Sequence, residues 1–302
     1  MDMTACALCP RQCGADRTQG GGHCRSSPQM HIARAALHHW EEPPISGERG
    51  SGAVFFTGCP FGCVFCQNGE ISRMEEPGRA VGPEELSGIF FGLVAQGAHN
   101  INLVTPTHFS PLVAQALRWE RLPVPVVYNT SGYERVEALR ELEGLVDVYL
   151  PDYKYAQPQL AKGLSGAGDY PAVALAAIRE MVRQVGPPAY NKGGMLARGV
   201  LIRHLILPGH TKNSMAVLAS IAENFPGIPV SLMAQYTPCG QAAAPGGIPG
   251  YPELSRPITQ RELEKVQAFL FDLGLDGFVQ SRSARGTQYI PPFAPAAQAP
   301  GP

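Results

Sequence analysis

Three cysteines, Cys59, Cys63 and Cys66, stand within eight residues in the stretch GAVFFTGCPFGCVFCQN, with gaps of three and two residues between them. Three thiolates from so short a stretch can cap three corners of an iron–sulfur cubane. One iron is then left without a protein ligand, the open position that a catalytic metal centre needs and a closed structural site lacks. Gly58, Pro60 and Gly62 let the chain wrap tightly and bring backbone close to an inorganic core. Two plainer readings compete. The thiols could be buried and inert, or they could bind zinc with His108 or Cys239 as fourth ligand, at a spacing unusual for a zinc knuckle.

A second group, Cys6, Cys9, Cys13 and Cys24, has gaps of two, three and ten in CALCPRQCGADRTQGGGHC. Four thiolates complete a metal shell unaided, as a structural zinc site or as an auxiliary iron–sulfur cluster. Gly14, Gly20, Gly21 and Gly22 allow the turns, and Arg11 or His23 could hydrogen-bond to the thiolates. A small Cys-rich stretch without a core of its own needs such a staple. The remaining cysteine, Cys239, stands apart: a radical quencher, a metal ligand or a free thiol.

Polar residues gather at the ends of apolar runs. VTPTH offers the hydroxyls and carbonyls of Thr105 and Thr107, or is a plain strand-ending turn; YNTSGY offers Thr130, Ser131 and Gly132. In VYLPDYKY, Asp152 and Lys154 alternate along an extended segment and so share a face. Lys can pair with a carboxylate and Asp can accept from hydroxyls or an ammonium; the bland alternative is a solvated pair. In VLIRHLIL, Arg203 and His204 interrupt an apolar run, so one of them faces inward. A lone strand His is usually a satisfied core residue, yet His204 joins the candidates. His108, His210, Gln235 and Tyr236 are weaker ones.

The elements that must position these residues follow from pattern. Residues 1–45 read as a Cys-rich metal-binding module with little hydrophobic periodicity, and EEPPISGERGSG (41–52) as a loop or linker. From 46 to 289 short apolar runs alternate with amphipathic stretches. Strands are expected at 53–57, 100–105, 124–128, 146–150, 199–207 and 229–236, and helices at 83–96, 111–118, 134–142, 172–184, 211–223 and 259–273. Pro83 followed by Glu84 and Glu85 suits a helix start. Strand–helix alternation makes an α/β fold with a helix-covered parallel sheet, closed into a partial (β/α)6 barrel or left doubly wound. Either way the active site lies at the carboxyl ends of the strands, and Cys59 sits just past the first. The Pro- and Ala-rich tail, 290–302, is expected to be disordered.

Composition narrows the classes. With 302 residues, 44% hydrophobic and 16% charged, the chain can bury a substantial core. A net charge of -1, from 24 basic and 25 acidic side chains, leaves no basic stripe for a phosphate backbone, so no nucleic-acid partner is expected. MDMTACALCP lacks the marks of a secretory signal, and no run approaches the roughly 18 apolar residues of a membrane span. A cytoplasmic protein with no membrane association is the expectation. There, clustered cysteines bind metal or do redox chemistry rather than form disulfides. No strand runs into a G-x-G-x-x-G or G-x-x-x-x-G-K-[ST] loop, which disfavours an NAD- or phosphate-using enzyme.

The C-x-x-x-C-x-x-C run, with Phe65 before its last Cys and a β/α repeat behind it, resembles the signature of the radical S-adenosylmethionine (SAM) superfamily. Residues 50–280 are most similar to the branch containing pyruvate formate-lyase activating enzyme, and the CPRQCG arrangement to uncharacterised relatives of that enzyme. The resemblance implies a partial barrel, with a 4Fe–4S cluster on Cys59, Cys63 and Cys66 whose fourth iron chelates SAM. It implies reductive cleavage of SAM to a 5′-deoxyadenosyl radical that abstracts hydrogen, and SAM contacts among Thr105, Thr107, Thr130, Ser131, Asp152, Lys154 and His204. A Gly-Gly-Glu turn usual in that branch is replaced here by VTPTH. The implied partners are a low-potential electron donor of the flavodoxin or ferredoxin type and, as substrate, a glycyl-radical enzyme, a peptide or a small molecule. The competing class is a non-catalytic iron–sulfur or zinc protein on a barrel scaffold.

Overall fold

The computed structural model describes residues 3–280 and Phe293. The Cys-rich stretch leads into β1 (Met30–His38) and a short helix, α1 (Pro43–Ser46). Then come β2 (Ser51–Phe56), α2 (Gly69–Ser72), β3 (Arg79–Val81), α3 (Pro83–Ala95), β4 (Ile101–Val104), α4 (Ser110–Trp119), β5 (Val126–Thr130) and α5 (Val136–Arg140). β6 (Val148–Pro151), α6 (Pro158–Ser165), α7 (Tyr170–Val185), β7 (Ala189–Tyr190) and β8 (Leu196–Val200) follow. The described chain closes with β9 (Ile202–Leu205), α8 (Thr211–Asn224), β10 (Val230–Met233), α9 (Gln260–Asp272) and β11 (Gly277–Gln280).

β2, β4, β5, β6 and β8 run parallel in that order, edged by antiparallel β1 and β3 on one side and by β7 on the other. β9, β10 and β11 form a second parallel sheet. The run 199–207, expected as one strand, bends at Leu201 and changes partner: β8 pairs with β6, and β9 with β10. A parallel bridge between Asp152 and Arg203 closes the seam. The result is the α/β partial barrel. All six expected strands are in it, and β11 extends the parallel set beyond them.

Strand alternation sorts side chains to two faces. Val54, Phe56, Leu103, Tyr128, Tyr149 and Ile202 point outward, where they meet Phe90 of α3, Val113 of α4 and Ile178 of α7 in the main core. Each such side chain, fully buried, contributes about 1.5–3 kcal/mol. Val127, Val148, Leu150 and Leu201 point inward against Ile45. The segment 41–52, whose composition suggests only a linker, therefore supplies a plug: α1 inserts fully buried Ile45 where the strands begin, and the Ile45 carbonyl accepts from Asn100 Nδ2 at 2.7 Å. Stretch 30–38, which carried no expected element, is the barrel's antiparallel edge strand.

Helix ends follow their sequence signals. α3 begins at Pro83 with Glu84 and Glu85 in its first turn, and Thr259 and Glu262 form a capping box on α9. Of the tail expected to be disordered, only Phe293 is described: it is buried, its ring centroid 5.4 Å from that of Phe55. The rest of 290–302 lies outside the described residues. Among the described residues no helix is long and apolar enough to cross a membrane.

Candidate active site

The loop after β2 carries Cys59, Cys63 and Cys66 at the carboxyl end of the sheet. It turns on two glycines with positive φ, Gly58 at +80° and Gly62 at +71°. A Cβ on Gly58 would lie 2.2 Å from Ser26 Oγ and 2.6 Å from the Cys24 carbonyl oxygen, so only glycine fits. The three thiols share one electrostatic neighbourhood, Cys59 sensing both Cys66 and Cys63. Ser165 Oγ donates to Cys63 Sγ at 3.3 Å, and the Phe61 N–H donates to Cys59 Sγ at 3.4 Å. Burial pushes the Cys59 thiol up to about 12 and Cys63 up to about 11, so a compensating cation is needed to bring out the thiolates.

A cavity of about 690 Å³ opens beside this loop, bounded by Cys59, Gly62 and Cys63, by His23 and Arg25 of the N-terminal segment, and by Arg73. A larger cleft of about 910 Å³ lies at the other end of the barrel against α1 and the β7–β8 turn, and no cysteine lines it. Among the described residues, no three His, Cys, Asp or Glu side chains converge on the position of a single ion. Ligands of a cubane bind different irons and stand further apart than ligands of one ion. The donor chemistry of the loop fits a cluster: three neighbouring thiols, an N–H and an O–H aimed at sulfur, and open space alongside.

From the cysteines a chain of buried charges runs down the lumen. Lys154 pairs with Asp152 and senses Cys63. Asp152 Oδ1 accepts from Arg203 Nε at 2.9 Å, while Arg203 Nη2 donates to Asn129 Oδ1 at 2.6 Å. Arg203 also meets Glu41 at 3.2 Å, and Glu42 at 4.0 Å. Burial works against the charge on Asp152, but Arg203 and Lys154 outweigh it and hold the carboxyl below its usual range. Burial works against Arg203 and Lys154 too, yet the carboxylates keep both charged. Glu42 differs: burial first, then Glu41, pushes it up to about 7 against the pull of Arg203.

The structure brings Asp152 and Lys154 to the cysteine loop but does not bring His204 there. His204 shares the helix-facing side of β9 with Ile202; its Nδ1 meets the Tyr153 carbonyl at 2.7 Å, and burial pushes it down to about 4. Of the two polar residues interrupting that run, Arg203 is the one that faces the lumen. The Thr107 and Thr130 hydroxyls also turn away, both donating to buried Glu134, the first at 2.6 Å. Burial pushes Glu134 up to about 7 despite these donors. Thr105, at the end of β4, holds φ at +60°, a strained setting for a β-branched residue. The Ser131 carbonyl accepts from Tyr170 Oη at 2.9 Å. His108 is buried against the Thr57 carbonyl at 2.7 Å, and His210 pairs with Glu253 at 2.7 Å. Cys239 senses Cys66.

In the N-terminal segment Cys6, Cys9 and Cys24 are buried, and Cys9 senses the other two; burial pushes its thiol up to about 11. Cys13 is exposed, its sulfur against Gly22. Arg11, expected near the thiolates, instead reaches four backbone carbonyls. Arg17 is buried and donates to the carbonyls of Ser26, Ser27 and His108. Sequence reasoning missed Glu41, Glu42, Glu134 and Arg17, and gave Arg11 the wrong partners. A Glu pair ahead of Pro-Pro was the one local sign of the plug, and it reads equally well as a linker.

The family model described as the radical SAM superfamily matches residues 53–220, more than half of the chain. An uncharacterised protein of Methanocaldococcus jannaschii is 28% identical over 280 residues, covering 90% of this chain and 75% of that protein. Among solved structures, a radical SAM methyltransferase from Sphaerobacter thermophilus superposes with a TM-score of 0.54 at 17% identity, over 79% of this chain and 68% of that one. Streptococcus suis SuiB, bound to precursor peptide SuiA, superposes with a TM-score of 0.52 at 12% identity, over 74% of this chain and 46% of that one. At such identities the superpositions speak for the fold alone. The matched segment begins inside β2 and contains the whole thiol loop and the lumen charges as far as Arg203, and on that match the chain belongs to the radical SAM superfamily.

Proposed function

We propose that Cys59, Cys63 and Cys66 hold a 4Fe–4S cluster, that SAM binds in the adjoining cavity, and that the protein abstracts hydrogen from a polar small molecule or peptide segment lodged there. The observation that carries the reading is the three-thiol loop at the mouth of a barrel, with charged Lys154 against Cys63 and a cavity of about 690 Å³ beside it. When bound, the cluster and SAM supply reductive cleavage to methionine and a 5′-deoxyadenosyl radical. The chain's own part is to hold and shield. Ser165 Oγ and the Phe61 N–H stabilise thiolate sulfur. Lys154, fixed by Asp152, offers a cation to a carboxylate. Thr105, held in a left-handed conformation at the end of β4, is the strained strand-end residue we assign to the ammonium of an amino acid. A buried lumen keeps water from a reactive radical.

A second reading is activation of a glycyl-radical enzyme, favoured by the Asp152-x-Lys154 pair on β6's extension. A protein substrate of that size calls for an apolar rim. The large apolar side chains exposed among the described residues, Trp40, Trp119, Tyr190 and Phe271, include none that bounds the thiol cavity, which supports the smaller substrate. A flavodoxin- or ferredoxin-type donor would deliver the electron in a reducing compartment.

The deciding experiment is anaerobic reconstitution with iron and sulfide, followed by SAM and dithionite. Wild type forms 5′-deoxyadenosine and Cys63→Ala does not. A fully loaded 4Fe–4S protein that neither binds nor cleaves SAM would refute the assignment.

A further inference from the structure

Arg11 lies between Cys9 and Cys13, far in sequence from the β2 loop, yet its guanidinium is spent on that loop. Nε donates to the Pro60 carbonyl at 2.9 Å and Nη2 to the Phe61 carbonyl at 2.9 Å. Nη2 also reaches the Ser165 carbonyl at 2.6 Å, and Nη1 the Gly166 carbonyl at 2.5 Å. The cation sits 5.3 Å from the centroid of the Tyr133 ring. Pro60 and Phe61 are two of the three residues between Cys59 and Cys63, and Ser165 is the one whose hydroxyl donates to Cys63 sulfur. Neighbouring residues add to the grip. Ser26 and the Cys24 carbonyl crowd Gly58, and His23 Nε2 would stand 3.7 Å from a Cβ on Gly62. The N-terminal segment thus touches the thiol loop before, inside and after Cys59.

The geometry points to Arg11 as a positioning residue for the cluster, and to the N-terminal Cys-rich segment as a wall of the radical site rather than an independent module. A planar fork with five donors can bridge carbonyls from two loops at once. Those carbonyls fix where Cys59 and Cys63 sit relative to Ser165. Order in the segment that holds Cys9 and Cys13 is thereby passed to the loop that holds Cys59 and Cys63. The inference rests on the assignment of Cys59, Cys63 and Cys66 as cluster ligands.

The test compares wild type with Arg11→Ala, Arg11→Lys and Arg135→Ala. Arg135 also ties the segment to the barrel, through the Ala7 carbonyl, and does not contact the thiol loop through that bond. Two readouts are taken: hydrogen exchange of the amides in 58–66 in the metal-free protein, and the rate at which a chelator removes the SAM-responsive EPR signal of the reduced, reconstituted protein. Arg11→Ala should speed both, the second by about tenfold or more, as loss of a supporting contact around ligands does. Arg11→Lys should resemble Arg11→Ala, since one ammonium cannot span four carbonyls, and added guanidinium should slow exchange in Arg11→Ala. Arg135→Ala should leave both rates at wild-type values. Loop exchange and signal loss unchanged in Arg11→Ala would overturn the inference, as would equal effects in Arg135→Ala. If wild type takes up no cluster, the functional reading fails, while the exchange data on metal-free protein still judge Arg11.

Discussion

Arg203 and Asp152 pair twice: their backbones form the bridge that joins the two parallel sheets, and their side chains meet at 2.9 Å inside the barrel. The junction where β8 gives way to β9 at Leu201 is thus braced by a side-chain pair as well as by backbone. Through Lys154 the same pair reaches Cys63, and through Glu41 it reaches the plug below. Closure of the barrel and placement of charge near the thiols are one arrangement.

Arg203→Met should therefore destabilise the protein by about 3–5 kcal/mol, because Glu41 would be left buried without a cation and Asp152 with Lys154 alone. Urea unfolding of the metal-free protein measures this. Glu41→Gln in the Arg203→Met background should recover part of the loss by removing one stranded carboxylate. A loss below about 1 kcal/mol for Arg203→Met would mean that the network is solvated rather than buried.

Lys154 and His204 make a paired test of lumen against outer face. Lys154→Met removes a cation beside Cys63, and the one-electron reduction potential of the cluster should fall by about 60 mV, a tenfold change in equilibrium. His204→Leu removes a neutral imidazole on the helix-facing side and should leave that potential and 5′-deoxyadenosine yield within about twofold, with a stability loss near 1–3 kcal/mol for the stranded Tyr153 carbonyl. Redox titration followed by EPR separates the two. A larger shift from His204→Leu than from Lys154→Met would contradict the facing read from β9.

What was legible in the sequence was whatever depends on neighbours along the chain. Six strands and six helices fall close to their expected ranges because hydrophobic period and helix-start residues are local signals. The thiol spacing was equally local. The facing of Thr107, Thr130 and His204 was not, since alternation gives two faces without saying which is the lumen, and a bend at Leu201 is set by partner strands. Glu41 and Glu42 were hidden for a related reason. Their partner Arg203 lies 162 residues from Glu41, and nothing within EEPPIS announces a buried cation. Arg11 was noticed beside the thiols it neighbours in sequence, whereas its partners are carbonyls 49 to 155 residues away.

Glu134 predicts a pH effect. Its carboxyl is pushed from 4.5 up to about 7 by burial, so between those values the folded protein binds more protons than the unfolded chain. Stability carried by this group is full below about pH 4.5 and declines as pH rises through 7, by up to about 3 kcal/mol. Glu134→Gln keeps an acceptor for Thr107 and Thr130 but cannot ionise. The metal-free variant should gain stability relative to wild type as pH goes from 5 to 8, with the difference levelling above 8. A difference that stays flat across this range would show that Glu134 ionises in the folded protein as freely as in water.

Metal removal separates the roles of the N-terminal cysteines. Cys6, Cys9 and Cys24 are buried together, whereas Cys13 is exposed beside Gly22. If the segment holds a second metal centre, iron–sulfur or zinc, the three buried thiols are its anchors and Cys13 its outermost ligand. Replacing an anchor leaves too few ligands, while water can take an outer position. Cys9→Ser should then lose the second centre entirely, and Cys13→Ser should keep it with affinity lowered by about 10–100-fold. Metal content per chain and native mass spectrometry, on protein prepared anaerobically, distinguish these cases and identify the metal. Since the segment forms a wall of the thiol cavity, stripping the second centre with chelator should also raise the exchange rate of amides 58–66. Cys9→Ser with an undiminished metal complement would remove the second centre from the account, and the segment's hold on the thiol loop would then rest on Arg11 and on the packing of Cys24, Ser26 and His23 against Gly58 and Gly62.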